Sequence, residues 1–223
     1  MKKQENQGSG WHLKDQKNLR PEEIERLFAT AKKYGRRIYL MVIVAYNGAF
    51  RVSELIHLKV KDWNFPTSKV FVIPLKKAGR RRIRSPNGEI RVIDRALPDP
   101  IEYPMPRNIS SAVEKYVREN ELPKDSFLFP GRSKSCNVVK LKCPGGHISK
   151  RMVQWIFDRL AVECHIKIPG RGIHCLKHAR LTEVAAKTHD PYFVRDIGRH
   201  SSISISGHYV RFAERVDELG GKV

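Results

Sequence analysis

Along most of this chain the apolar residues return every three or four positions, and that period confines it to a fold built chiefly of helices. Ile24, Leu27, Phe28 and Ala31 form one such stripe, opened by Pro21 with Glu22 and Glu23 in the first turn and stopped by Gly35. Ile38 to Tyr46 is apolar on every side, so a second helix there belongs in the interior. Ile109, Ala112, Val113, Tyr116 and Val117 mark a third, ending near Glu121. Ser149 is placed to cap a fourth, whose face carries Met152, Val153, Ile156, Phe157 and Leu160. Further helices are expected over 177–188 and 191–198.

Only two runs have strand composition, Val70-Phe71-Val72-Ile73 and Ile90-Arg91-Val92-Ile93. Between them lie a basic stretch, Lys76 to Arg84, and the turn signal Ser85-Pro86-Asn87-Gly88, which predicts a hairpin with a long positive arm. Pro98, Pro100, Pro104 and Pro106 keep the next segment extended. The expected class is α+β, mainly helical, with a small antiparallel β-sheet. Residues 1–17 are polar and lack apolar periodicity, so they read as a tail or linker stub before one domain over 18–223.

A fold of this composition needs an anionic partner. Lys and Arg number 43 against 23 Asp and Glu, a formal charge of +20 that repels itself unless a polyanion answers it. Nucleic acid is the leading partner, with an anionic membrane surface far behind. No stretch approaches the roughly 20 apolar residues that cross a bilayer. The start MKKQENQGSG lacks the apolar core of a signal peptide, so a cytoplasmic, nucleoid-associated location is expected. Cys136, Cys143, Cys164 and Cys175 contain no C-x-x-C pair, which argues against a zinc ribbon or a disulfide scaffold. Cys136, Cys143 and His147 leave a zinc site open beside the plainer reading of reduced thiols in a loop. Neither a metal nor a cofactor is expected.

An isolated Arg, Lys, His or Tyr is more often structural than catalytic, but here several stand in a telling order. Gly48-Ala49-Phe50-Arg51-Val52-Ser53-Glu54-Leu55 is followed by Leu58 and Asp62. Leu128-Phe129-Pro130 comes next, then His174-Cys175-Leu176-Lys177-His178-Ala179, then Gly198-Arg199-His200-Ser201-Ser202, with Tyr209 nine positions after His200. From about Leu19 almost to the end, this pattern resembles the catalytic domain of the tyrosine recombinase (phage integrase) family.

That resemblance implies a site-specific recombinase or integrase that cuts and rejoins DNA through a 3′-phosphotyrosine intermediate, independently of metal and ATP. An anionic phosphodiester is a poor electrophile, and preorganised positive donors stabilise the added charge of its transition state. Arg51 takes the place of the first phosphate clamp, its planar fork suited to two oxygens. The phenol of Tyr209, with a reference pKa near 10, needs a base, a role that falls to His174, while His200 donates to a nonbridging oxygen. Lys77 aligns with the lysine that protonates the 5′-oxygen. Lys76 is adjacent and Arg80, Arg81, Arg82 and Arg84 crowd the same arm, so the run also reads as a track for DNA phosphates.

Two departures bear on function. The family's second arginine is replaced by Lys177, and the nearest arginine, Arg180, lies one helical turn on. Lys177 as a point charge, Arg180 reaching in, and an impaired enzyme that has become a DNA-binding relic all stay open; gapless spacing favours Lys177. Arg180 and Arg199 are otherwise expected on DNA. The N-terminal core-binding domain common in the family is expected to be absent before residue 18. The alternatives are a DNA-binding protein of this fold without cleavage activity and a type IB topoisomerase-like enzyme. The resemblance further implies double-stranded DNA as partner and self-association from monomer to tetramer on two duplexes.

Overall fold

The computed structural model describes residues 18–75, 79–84, 90–95, 98–131 and 146–218. The tail over 1–17, the turn at 85–88, Lys76, Lys77, Cys136 and Cys143 lie outside these residues. In chain order the helices are α1 (Pro21–Lys33), α2 (Arg36–Asn47), α3 (Val52–His57), α4 (Arg107–Glu119), α5 (Lys150–Glu163), α6 (His174–Thr188), α7 (Pro191–Gly198) and α8 (Ile203–Glu218). The strands are β1 (Trp63–Asn64), β2 (Lys69–Val72), β3 (Gly79–Arg84), β4 (Ile90–Arg95) and β5 (Ile101–Pro104). They fall into two compact units, one formed by the chain up to Val52 with the chain from Ser149, the other by Ser53 to Ile148.

The first unit is helical. Pro21 opens α1, and acidic Glu22 and Glu23 at its start with Lys32 and Lys33 at its end complement the helix dipole. Gly35 then turns the chain at φ 104, a left-handed value that suits glycine, and α2 begins at once. Burial of Leu40 through Tyr46 bears out the reading of α2 as interior. The hydroxyl of Ser149 accepts from the Met152 N–H, so α5 begins where its cap signal predicts. Arg171 is 6% exposed and donates to Glu23, to the Ile166 carbonyl and to the Asn18 carbonyl, tying the entry of α1 to the turn before α6. Helices α6, α7 and α8 pack on one another around Ala49, Leu181, Val184, Ala185, Val194, Val210 and Ala213.

The second unit holds a three-stranded antiparallel sheet in the order β1-β2-β5, with Val70 opposite Trp63 and Tyr103. Val70 and Val72 face inward while Lys69 and Phe71 face out, the alternation a one-sided sheet requires. Trp63 Nε1 donates to the buried Ser110 hydroxyl of α4. The expected hairpin joined the wrong strands. The Val70 run pairs with β1 and β5, whereas β4 pairs with β3, the basic stretch itself. A short strand cannot reveal its partner from composition alone, because register is set by which face each neighbour buries. Helix α8 was not expected: Ile203, Ser204, Ile205 and Gly207 lower helix propensity, and its buried Ser206, Val210 and Ala213 supply the stripe instead.

Candidate active site

The residues that the structure brings together as a site belong to the first unit, and the site starts at the C-terminal end of α2. Gly48 caps the helix and Ala49 takes a left-handed φ of 44, turning the chain so that the Phe50 N–H returns to the Ala45 carbonyl. The Phe50 ring folds over Gly48, where a Cβ would come within 2.3 Å of it, so a larger residue would displace the ring. Arg51 follows, half-buried, and its charge acts on both His200 and Tyr209.

Two buried cations hold this corner. Lys177 Nζ, on α6, donates to the carbonyls of Ala49 at 3.0 Å and Gly198 at 2.7 Å. Arg199, in the turn after α7, donates to Gly48 at 3.0 Å and to the same Ala49 carbonyl at 2.7 Å, and its guanidinium lies over the Phe50 ring. Each residue is 6% exposed. Their acceptors are terminal carbonyls of α2 and α7, which lack intrahelical partners and sit at the negative ends of the helix dipoles. Helix ends thus stabilise the buried charges, and the charges lock the Arg51 corner to the His200 corner.

His200 Nδ1 meets the fully buried Ser206 hydroxyl at 2.9 Å, which leaves Nε2 for another partner. Burial, with Lys177, Arg51, Arg199 and His178 nearby, pushes its pKa down to about 4, so the ring is neutral at neutral pH. A Cβ on Gly198 would lie 2.7 Å from the ring, so glycine there lets the ring come this close.

Tyr209 projects from α8 with the body of its ring against the Ala49 and Val184 cluster. Its ring stacks between those of His178 and His200, at centroid distances of 5.9 and 5.8 Å. The hydroxyl lies 2.6 Å from His178 Nδ1. Burial raises the phenol to about 12 against the lowering effect of Arg51. His178 keeps an exposed edge, yet partial burial and then the charges of His174 and Lys177 hold its pKa below the ordinary histidine value.

The structure therefore brings Arg51, Lys177, His200 and Tyr209 to one place. His174 opens α6 one turn before His178 and is exposed, and it is His178 that meets the phenol. Arg180, expected on DNA, pairs with Glu183 at 2.6 Å and lies over Tyr46. Arg199, also expected on DNA, turns its guanidinium inward onto carbonyls instead. Arg80, Arg81, Arg82 and Arg84 lie in β3 of the other unit. His147 places its ring 4.4 Å from that of His57, and no group of three or more metal-ligating side chains occurs among the described residues. His178 and Ser206 were missed. His178 sits one helical turn from His174, a spacing that puts both on one face and was a usable signal. Ser206 gave none, since it depends on the unexpected α8.

The sequence matches the phage integrase family over residues 17–215. Tyrosine recombinase XerA of Pyrococcus furiosus is 25% identical over 195 residues, which cover 87% of this chain and 57% of that protein. Tyrosine recombinase XerC of Oceanobacillus iheyensis is 22% identical, with 86% and 55% covered. The chain thus spans little more than half the length of these curated relatives. Among solved structures, the site-specific recombinase XerH bound to its palindromic difH substrate shares the fold with a TM-score of 0.61 and 21% identity, over 91% of this chain and 52% of that one. The Tn1549 transposon integrase in complex with transposon right-end DNA shares it with a TM-score of 0.63 and 16% identity, over 92% and 66%.

Proposed function

The chain belongs to the phage integrase family, and on that premise we propose that it is the catalytic part of a site-specific recombinase that cuts and rejoins double-stranded DNA through a 3′-phosphotyrosine bond at Tyr209. The placement of the Tyr209 hydroxyl among two neutral imidazoles, within the field of Arg51, carries this reading. Arg51 grips the scissile phosphate by two oxygens and Lys177 adds a second positive charge. His200 donates from Nε2 to a nonbridging oxygen, its Nδ1 being engaged by Ser206. Tyr209 attacks phosphorus, the 5′-oxygen departs with a proton from Lys77, and the free 5′-hydroxyl of another strand reverses the step. The phosphotyrosine conserves the energy of the broken bond, so rejoining needs no ATP.

The proposed partner is DNA, met by the +20 charge and the Lys76 to Arg84 arm, with a tetramer on two duplexes and a nucleoid-associated location. No described helix is long and apolar enough to cross a membrane. A DNA-binding protein without cleavage is the second reading, because Lys177 commits two N–H donors to backbone carbonyls. One experiment separates them: incubation with a pool of nicked duplexes of randomised sequence, followed by denaturing electrophoresis and sequencing of protein-linked DNA. Adducts that map to Tyr209 and share a sequence are expected. DNA retention without any adduct sinks the enzyme reading and leaves the binder.

A further inference from the structure

We propose that His178, rather than His174, is the base that takes the Tyr209 proton during strand cleavage. The inference rests on the cleavage reading above. The phenol has one O–H to donate, and the ring nitrogen set 2.6 Å from its oxygen is His178 Nδ1. Accepting that bond assigns His178 the tautomer with hydrogen on Nε2. The stacking of Tyr209 between His178 and His200 fixes the phenol's approach; His200 has its Nδ1 on the Ser206 hydroxyl and, on the reading above, gives its Nε2 hydrogen to the phosphate, which leaves His178 for the phenol.

The groups facing His178 are His174 and Lys177 on its own helix, His200 from the turn after α7, and Tyr209 from α8, with Arg51 acting on the phenol from the α2 corner. Burial first, and then the charges of His174 and Lys177, hold the His178 pKa below the ordinary histidine value and so favour a free Nδ1 lone pair. A phenol near pKa 12 does not surrender its proton in the resting enzyme. Transfer to Nδ1 therefore accompanies formation of the Tyr209 Oη–P bond, while the P–O5′ bond breaks and the 5′-oxygen receives a proton from the general acid. The imidazolium so formed lies beside Lys177 and His174, which favour its losing the proton again. On rejoining, the proton returns from Nδ1 to the phenol oxygen as the Oη–P bond breaks, so the charge that weakens the base also makes the step reversible.

The test uses the nicked duplex recovered from the randomised pool and measures single-turnover adduct formation against pH. His178→Asn keeps a short hydrogen-bonding group but cannot accept a proton, so its rate is expected to fall by on the order of 10² or more. Retention of the duplex on filters and the wild-type circular dichroism spectrum establish that the variant binds and folds. His178→Ala is expected to recover in part with added imidazole. The wild-type rate falls toward acid pH as His178 is protonated; that limb is lost in His178→Asn and persists in His174→Asn. Histidine ¹⁵N spectra of the free protein are expected to show the Nε2–H tautomer at His178. Adduct formation by His178→Asn within about threefold of wild type, loss of the limb in His174→Asn, or an Nδ1–H tautomer overturns the assignment. Failure of the wild-type protein to capture any DNA removes the cleavage reading and this inference together, and is seen before any variant is compared.

Discussion

Replacing Lys177 by methionine tests whether its ammonium holds two corners of the site together. The side chain is 6% exposed and bonds the Ala49 and Gly198 carbonyls. Ala49 keeps the Arg199 donor when Lys177 is lost, so its share of the cost is small. Gly198 loses its charged partner, and a buried carbonyl stripped of a donor costs about 1–3 kcal/mol. Release of the ammonium from its buried position offsets part of any larger loss. The net expectation for Lys177→Met is a loss of about 2 kcal/mol, or roughly 4–8 °C in Tm for a chain of this size. Lys177→Arg restores the family residue, but the guanidinium must enter a site where Arg199 already holds the Ala49 carbonyl. Overpacking of that kind costs about 1–3 kcal/mol. Urea unfolding followed by circular dichroism measures both variants. An independent readout is the His200 pKa by NMR, which rises from about 4 in Lys177→Met because Lys177 is the foremost charge depressing it. Unfolding free energy within about 0.5 kcal/mol of wild type, with His200 unmoved, would refute this placement of the ammonium.

Other perturbations reach different parts of the site. Gly198→Ala places a methyl against the His200 ring and is expected to slow adduct formation by roughly tenfold or more, with helical content unchanged by circular dichroism. Arg180→Ala breaks the bond to Glu183 and is expected to lower stability by about 1–2 kcal/mol in urea while leaving the cleavage rate within a few-fold of wild type. His200 binds its proton near pH 4 when folded and near 6.5 when unfolded, so the unfolded chain takes up more protons between those values. Stability should fall as pH drops from 6.5 to 4, and His200→Asn should flatten that slope in urea titrations at several pH values. Neutralising Arg80, Arg81 and Arg82 is expected to reduce the slope of log affinity against log salt by roughly 2–3.

The helices were legible wherever a single amphipathic face decides the period. Pro21 with its acidic turn, the uniformly apolar α2 and the Ser149 cap each state their element locally. Failure came where tertiary context chooses between local options. The Val70 run has a strand's composition whichever neighbour it meets, and its pairing with Tyr103 across an interval of more than thirty residues depends on burial of Val70 and Val72. In α8, β-branched residues and Gly207 hide a helix whose stability comes from packing Val210 and Ala213 into the Ala49 cluster. Helical propensity is a weak prior, and such packing overrides it.

The site divides along the same line. Arg51, His200 and Tyr209, which the structure brings together, stand out in the sequence by residue type and order. The groups that fix them act through backbone atoms. The carbonyls of Gly48, Ala49 and Gly198 carry no sequence signature, yet they receive Lys177 and Arg199 and determine which way those cations point. Arg199, expected from the sequence on DNA, is buried in the structure with its guanidinium on the carbonyls at the end of α2. The position of Lys177 follows the same logic. With Arg199 already on the Ala49 carbonyl, the slender ammonium reaches both helix ends where a second planar fork would compete for the same oxygen.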